Sequence, residues 1–468
     1  MRRISFYSSL AVAALTAALG AHQLPSSSTY AIRGAKIVTV AGATIDKGNL
    51  VMRNGLITDV GASAAIPDGA IVVDGTGMTV YPGLIDMGSS SAVDGGAAAA
   101  GGGGRGAVPA PAAQGGRGGG ATTDTWADAD RAKREALLNP DFEVAREVRV
   151  DTAELRQMAT AGITSVLAVP SAGLIKGQSA LINTMAPESV DDVSAVAGYR
   201  RGMVVVNAPV AQHIALQGGR LGGGGGYPAA PLGMISFVRQ SLYDAQWQKD
   251  ARAWAAKHKD EARPTFEPAL DALVPALEGK MPVSFEADEL REILRALSMA
   301  KEFKLDPIIT GGVEAADAVA DLQAAKARVI LTLASGAAGG GRGGGGGGGR
   351  GGAGDTPVRV TEMQRNAPKA AAALEKAGIA YAFSSAGLAS PSDFVRGVAR
   401  AIRDGGLTPD QAIKALTINA AKMAGAADRV GSLEKGKIAN VIVTDGDLFA
   451  DATRVRRVFV DGRSVDIR

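Results

Sequence analysis

The sequence predicts an α/β protein built as a (β/α)8 TIM-type barrel, with a small composite β-sandwich domain contributed by both ends of the chain. Three observations carry this. From Met281 onward, short apolar strands alternate regularly with amphipathic helices, the signature of a parallel sheet covered by helices. Short strands with turn signals crowd both termini, as if one β-domain were assembled from the two ends. The length of 468 residues suits a large barrel, and no dinucleotide fingerprint follows an early strand, which argues against an open doubly wound sheet.

At the N-terminus, Arg2 and Arg3 precede an apolar run from Leu10 to Leu19, and small residues follow at Gly20 and Ala21. The run is too short to span a bilayer, so residues 1–21 read as a cleaved signal peptide and the protein as exported, periplasmic or secreted, with no membrane span. The chain has no cysteine, which removes thiolate nucleophiles and cysteine-based metal sites. Basic and acidic residues nearly balance, at 50 and 47, which argues against nucleic acid as a partner.

Segments Ile37–Val40, Leu50–Arg53, Leu56–Val60 and Ile71–Asp74 read as strands, with Arg53-Asn54-Gly55 as a hairpin turn. Thr79–Ile85 reads as apolar and buried. A helix is expected over Val144–Thr160, a strand over Thr164–Val169 and a long helix near Leu232–Lys257. The later strands are Val283–Phe285, Pro307–Thr310, Arg328–Leu333 and Ala380–Ser384. Helices Asp288–Phe303, Glu314–Ala325, Thr361–Ala377 and Ser392–Arg403 follow them in turn. Val441–Thr444 and Val455–Val460 close the β-domain, giving composite segments 30–78 and 425–468 around a barrel at 79–424. Three glycine tracts, 95–120, 218–226 and 336–354, hold the excess of 63 glycines and read as loop insertions. Their Arg-Gly-Gly units lack the interleaved aromatics of RNA-binding tails.

Three motifs then resemble one family. Val80-Tyr81-Pro82-Gly83-Leu84-Ile85-Asp86 is similar to the barrel entry of the amidohydrolase superfamily. The exit resembles Gly431-Ser432-Leu433-Glu434-Lys435-Gly436-Lys437-Ile438-Ala439-Asn440-Val441, and Thr417-Ile418-Asn419-Ala420-Ala421 looks like its last barrel-covering helix. The likeness points to imidazolonepropionase-like, exported amidohydrolases. It implies hydrolysis of non-peptide C–N bonds by metal-activated water. It also implies a ligand set at strand ends: His-x-His after the first strand, histidines after the fifth and sixth, an aspartate after the eighth. Those positions hold Gly88, Ser90, Glu286, Gly311 and Ala386 here. No metal and no cofactor are therefore expected.

The chain has three histidines. His22 lies at the expected cleavage site, while His213 and His258 read as loop or surface residues. Asp86 and Asp288 are expected to cap a turn and a helix, the latter without a capping box because Arg291 stands where Glu or Gln would reach back. Lys176 and Ser179 allow a lysine-activated nucleophile, although a surface loop is the expected setting. Glu286 stays open as a catalytic carboxylate. The sequence thus favours a degenerate amidohydrolase acting as a binding or partner subunit, joined to an active relative or to copies of itself. The alternative is an active enzyme with a carboxylate-based site near Glu286.

Overall fold

The computed structural model describes residues 29–90, 92–93, 134–148, 153–185, 204–216, 228, 230–333 and 358–467. Residues 1–21, His22 and the three glycine tracts lie outside the described residues. The protein is a mixed α/β fold of three sheets. The first begins with β1 (Tyr30–Ile37), β2 (Ile45–Arg53) and β3 (Leu56–Gly61), which pair antiparallel in sequence. Asn54 and Gly55 both take positive φ in the β2–β3 turn, the conformation that an Asn-Gly pair adopts most readily. β4 (Ile71–Asp74) and β5 (Thr79–Pro82) run parallel to β1.

The apolar stretch Thr79–Ile85 is buried as expected and is divided between two strands. Gly83 breaks it, and β6 (Leu84–Ser89) continues into a different sheet. A Cβ at Gly83 would lie 2.0 Å from Thr164 Oγ1, so only glycine lets the chain pass between the sheets here. Next come β7 (Ile163–Ala168), β8 (Ile175–Gln178), β9 (Ala180–Asn183), β10 (Val205–Asn207) and β11 (Gln212–Ala215). They are followed by β12 (Val283–Ala287), β13 (Pro307–Gly311), β14 (Arg328–Thr332) and β15 (Tyr381–Ser384). One sheet has the order β10-β9-β7-β6 and another β15-β14-β13-β12-β11-β8. β6 and β7 are parallel, as are β11 through β15. β9 runs antiparallel to β7 and β10, and β8 antiparallel to β11.

The strand pairing is therefore two sheets with a reversed segment, not the uniform parallel set expected. A surface loop is the setting expected of Lys176 and Ser179, because Lys176, Gly177, Gln178 and Ser179 interrupt the apolar alternation; instead Lys176 lies in β8, and Ser179 lies between β8 and β9. Ser179 links the two sheets: its N–H donates to Ala211 O at 3.0 Å and its carbonyl accepts from Val210 N–H at 2.9 Å. At the far edges, Ser384 Oγ donates to Gly88 O at 3.1 Å, bringing β15 beside β6. The chain ends with β16 (Val441–Thr444), β17 (Val455–Val460) and β18 (Arg463–Ser464), which join the first sheet through β16–β5 pairing. That sheet thus draws on residues from both ends of the chain.

Helices α1 (Ala153–Thr160), α2 (Pro231–Lys257), α3 (Leu290–Phe303), α4 (Val319–Ala324) and α5 (Val358–Asn366) accompany the strands. So do α6 (Ala370–Lys376), α7 (Asp393–Gly405), α8 (Pro409–Leu416) and α9 (Ile418–Met423). The single helix expected over Val144–Thr160 is replaced by a four-residue turn at Val144–Glu147 and by α1. Strand alternation sorts side chains between two cores. Phe285, Ile309, Val329 and Phe383 pack on the helix side with Leu297 and Phe394. On the opposite, inner face, Ile85, Leu167, Leu181, Ile308, Ile330 and Ala382 form an apolar layer closed below by Ala420 and Ala424. The inner face is where a functional site can open.

Candidate functional site

Above the apolar layer the inner face turns polar. In register, His213 lies between Gly177 and Ser284, Ala215 beside Glu286, Glu286 beside Thr310, and Thr332 beside Ser384. Paired residues of neighbouring strands point to the same side of a sheet, and so do residues two apart. His213, Ser284, Glu286, Thr310, Thr332 and Ser384 therefore share the inner face. Ser284 Oγ and Thr310 Oγ1 are hydrogen-bonded at 2.7 Å.

Lys176 reaches this face from β8 and forms a short ion pair with Glu286. It is not a loop lysine: its side chain is only 13% exposed, against 40% for Glu286. Nor does it activate Ser179, whose hydroxyl donates to Ala211 O at 3.3 Å and is buried. His213 is likewise no loop residue. It sits in β11, 2% exposed, and its Nε2 has no hydrogen-bond partner. Burial, with the Lys176 charge adding to it, lowers its pKa to about 3, so the ring is neutral at physiological pH. The glycine tract at 218–226 that follows is why His213 reads as a loop or surface residue in the sequence. His258 sits at the exposed C-terminal cap of α2, stacked on Trp254 with ring centroids 4.2 Å apart.

The two aspartates lie elsewhere. Asp86 alternates with Ile85 and Met87, so it faces away from the mouth. It accepts from Ser385 N–H at 2.8 Å, Ser385 Oγ at 2.5 Å and Gly88 N–H at 3.2 Å, fastening β6 to the end of β15. Burial raises its pKa to about 6 against the pull of the Ser385 and Gly88 bonds. Asp288 does not cap the helix as expected. Glu289 is the N-cap of α3, one residue later, and the capping box is complete because Glu292 accepts from Glu289 N–H at 3.0 Å. Asp288 Oδ1 is buried without a partner. Its pKa rises to about 6 through burial and then the charges of Glu292, Glu286 and Glu289.

The metal-ligand positions implied by the family resemblance can now be tested on their geometry. At Gly88 a Cβ would stand 2.8 Å from Ser384 Oγ. Gly311 holds φ at +114°, and a Cβ there would fall 2.3 Å from Asp288 Oδ1 and 3.0 Å from Ala287 O. The backbone at Gly311 has no room for a histidine. Ser90 is half-buried in a bend, and its carbonyl accepts from Val93 N–H. Ala386 offers only a backbone N–H, which donates to Ser384 Oγ at 3.1 Å. Among the described residues no three His, Asp or Glu side chains converge as metal donors. Among the described residues Glu286 is the one carboxylate on the inner face, and it is paired with Lys176. The described residues do not fit a catalytic transition metal.

The sequence model of the amidohydrolase family matches residues 355–465. An amidohydrolase from Thermotoga maritima MSB8 shares the fold at a TM-score of 0.71 and 21% identity, over 94% of this chain and 100% of that one. A second amidohydrolase aligns at a TM-score of 0.50 and 17% identity, covering 93% of this chain and 98% of its own. A prolidase complexed with N-methylphosphonate-L-proline aligns at 0.50 and 16%, over 94% and 99%. No curated protein sequence matches the chain. No helix among the described residues is long and apolar enough to cross a membrane. The family model covers the exit motif around Asn440, and the fold is one that the chain shares with solved amidohydrolases.

Proposed function

We propose that this is an exported, periplasmic or secreted, amidohydrolase-fold protein that has given up metal-dependent C–N hydrolysis and acts as a binding or partner subunit. In this reading its two inner sheets form one closed (β/α)8-type barrel, with β8–β9 as a reversed stave. The observation that carries the proposal is the Lys176–Glu286 ion pair on the inner face. A fixed ammonium there repels a divalent cation and occupies the one carboxylate that could hold it. Gly311 supports the same reading, since its backbone excludes the side chain that a ligand would need. Without a metal, nothing at the mouth lowers the pKa of water toward neutrality.

A second reading has one observation in its favour. Glu286 is 40% exposed on the inner face and lies near Asp288, whose pKa of about 6 suits a proton donor. A carboxylate-based hydrolase could be built on that pair. Assays on amides, dipeptides and cyclic ureides, each with and without added Zn²⁺ or Mn²⁺, separate the two. The proposal expects no turnover under either condition. Reproducible metal-independent hydrolysis that Glu286→Gln abolishes would replace it with the second reading.

A further inference from the structure

Helix α2 carries an apolar strip that nothing in the described chain covers. Leu232 is 74% exposed, Tyr243 48%, Trp247 63% and Trp254 49%. At 3.6 residues per turn these four fall within one narrow face of the helix. Surface aromatics scattered singly need no explanation, but two of the chain's three tryptophans on one helix face form a patch. Trp247 has no ring or hydrogen-bond partner among the described residues. Asp250 and Lys257 lie on the same face, and neither has an ion-pair partner among them.

The strip has an internal symmetry. Positions 240, 243, 247, 250, 254 and 257 step by three and four alternately, the spacing of a helix–helix seam. Reversing the helix about its midpoint between 248 and 249 maps this set onto itself: 240 meets 257, 243 meets 254 and 247 meets 250. In an antiparallel pair related by a two-fold axis, Tyr243 of each copy packs on Trp254 of the other. The Trp247 indole N–H reaches the opposing Asp250 carboxylate, and Lys257 meets Gln240. Tyr243 keeps its edge contact with Phe303 and Trp254 its stack on His258, while Trp247, Asp250 and Lys257, which have no such partner among the described residues, each find a complement, as an isologous contact requires. The exposed apolar area of Tyr243, Trp247 and Trp254 is roughly 400 Å², about half of the ~800 Å² that each partner contributes to a standard interface.

We propose that α2 is a self-complementary interface through which two copies of this chain associate antiparallel. The inference holds whether or not the mouth hydrolyses anything, so it can fail independently of the functional reading above.

The test is sedimentation equilibrium of the purified full-length chain at tens of micromolar. A dimer is expected, and Trp247→Glu should raise its dissociation constant more than tenfold, as a central tryptophan hot spot predicts. Its melting temperature and circular dichroism should stay unchanged, because the side chain is exposed. The absence of cysteine permits a second readout. A mixture of Gln240→Cys and Lys257→Cys chains should form a mixed disulfide, while Gln240→Cys alone should not, its two copies being about 25 Å apart along the seam. A monomeric wild-type chain, a dimer that survives Trp247→Glu, or a mixture that fails to cross-link would each overturn the proposal. Capture of a different amidohydrolase by an otherwise monomeric chain would overturn it in favour of a mixed pair.

Discussion

The base and the mouth of the inner sheets are both lined with polar side chains, and they treat them differently. At the base, Asn440 donates to Ser165 Oγ at 3.0 Å and Asn183 Oδ1 at 2.8 Å, and accepts from Asp461 N–H at 2.8 Å. Beside it Lys437 bonds both Ser432 and Glu434, at 2.6 and 2.7 Å. These residues belong to the barrel-exit motif, and they tie the first sheet to β7 and β9. At the mouth, His213 Nε2 and Asp288 Oδ1 are buried without partners. A satisfied polar network rigidifies a fold, whereas orphaned buried groups cost stability and are retained where something else is selected. The motif residues still readable in the sequence are therefore those that hold the fold.

The comparison breaks most sharply at Gly311. Gly311→Ala forces a side chain into positive φ against Asp288 and the Ala287 carbonyl, and should cost about 3–5 kcal/mol by denaturant unfolding. A cost below 1 kcal/mol would mean that the position could still accept a histidine. At the base, Asn440→Ala should cost about 1–3 kcal/mol, because it orphans the Asp461 N–H and removes one bond each from Ser165 and Asn183, which keep their mutual bond at 3.0 Å. A neutral outcome would remove the contrast between the two regions.

Asp288→Asn sharpens the contrast in the opposite direction. The folded pKa of about 6 stands above the ordinary carboxylate value, so the folded state holds its proton more tightly than the unfolded chain. The stability this gives is complete below about pH 4 and is lost as pH rises through about 6. The variant should match wild type near pH 4 and exceed it by about 3 kcal/mol at pH 8. A difference that does not change with pH would show that neither burial nor the charges of Glu292, Glu286 and Glu289 raise the Asp288 pKa. Lys176→Met should change stability least, by under about 1 kcal/mol, because Glu286 can turn to solvent when its partner is lost.

Much of this fold was legible in the residues. The alternation from Met281 onward located β12 to β15, and Asn54-Gly55 located the first hairpin. Strands β8 to β11 were not legible, because polar residues in Ile175–Asn183 and a glycine tract beside Gln212–Ala215 hide their periodicity. That loss took the mouth with it. Glu286 could be placed from its strand, but its partner Lys176 and its neighbour His213 come from β8 and β11, two of the four strands that were hidden. The missing ligands could be read from residue types alone. The backbone geometry that excludes them at Gly311 could not, since it depends on how Asp288 turns into α3.

Elemental analysis of the purified protein, coupled to thermal unfolding with and without a chelator, tests most directly the proposal that this chain holds no catalytic metal. The account predicts far less than one equivalent of Zn, Fe or Mn per chain and a melting temperature that the chelator leaves unchanged, because no metal-binding energy is linked to folding. A stoichiometric transition metal, with a melting temperature that falls when it is stripped, would contradict it.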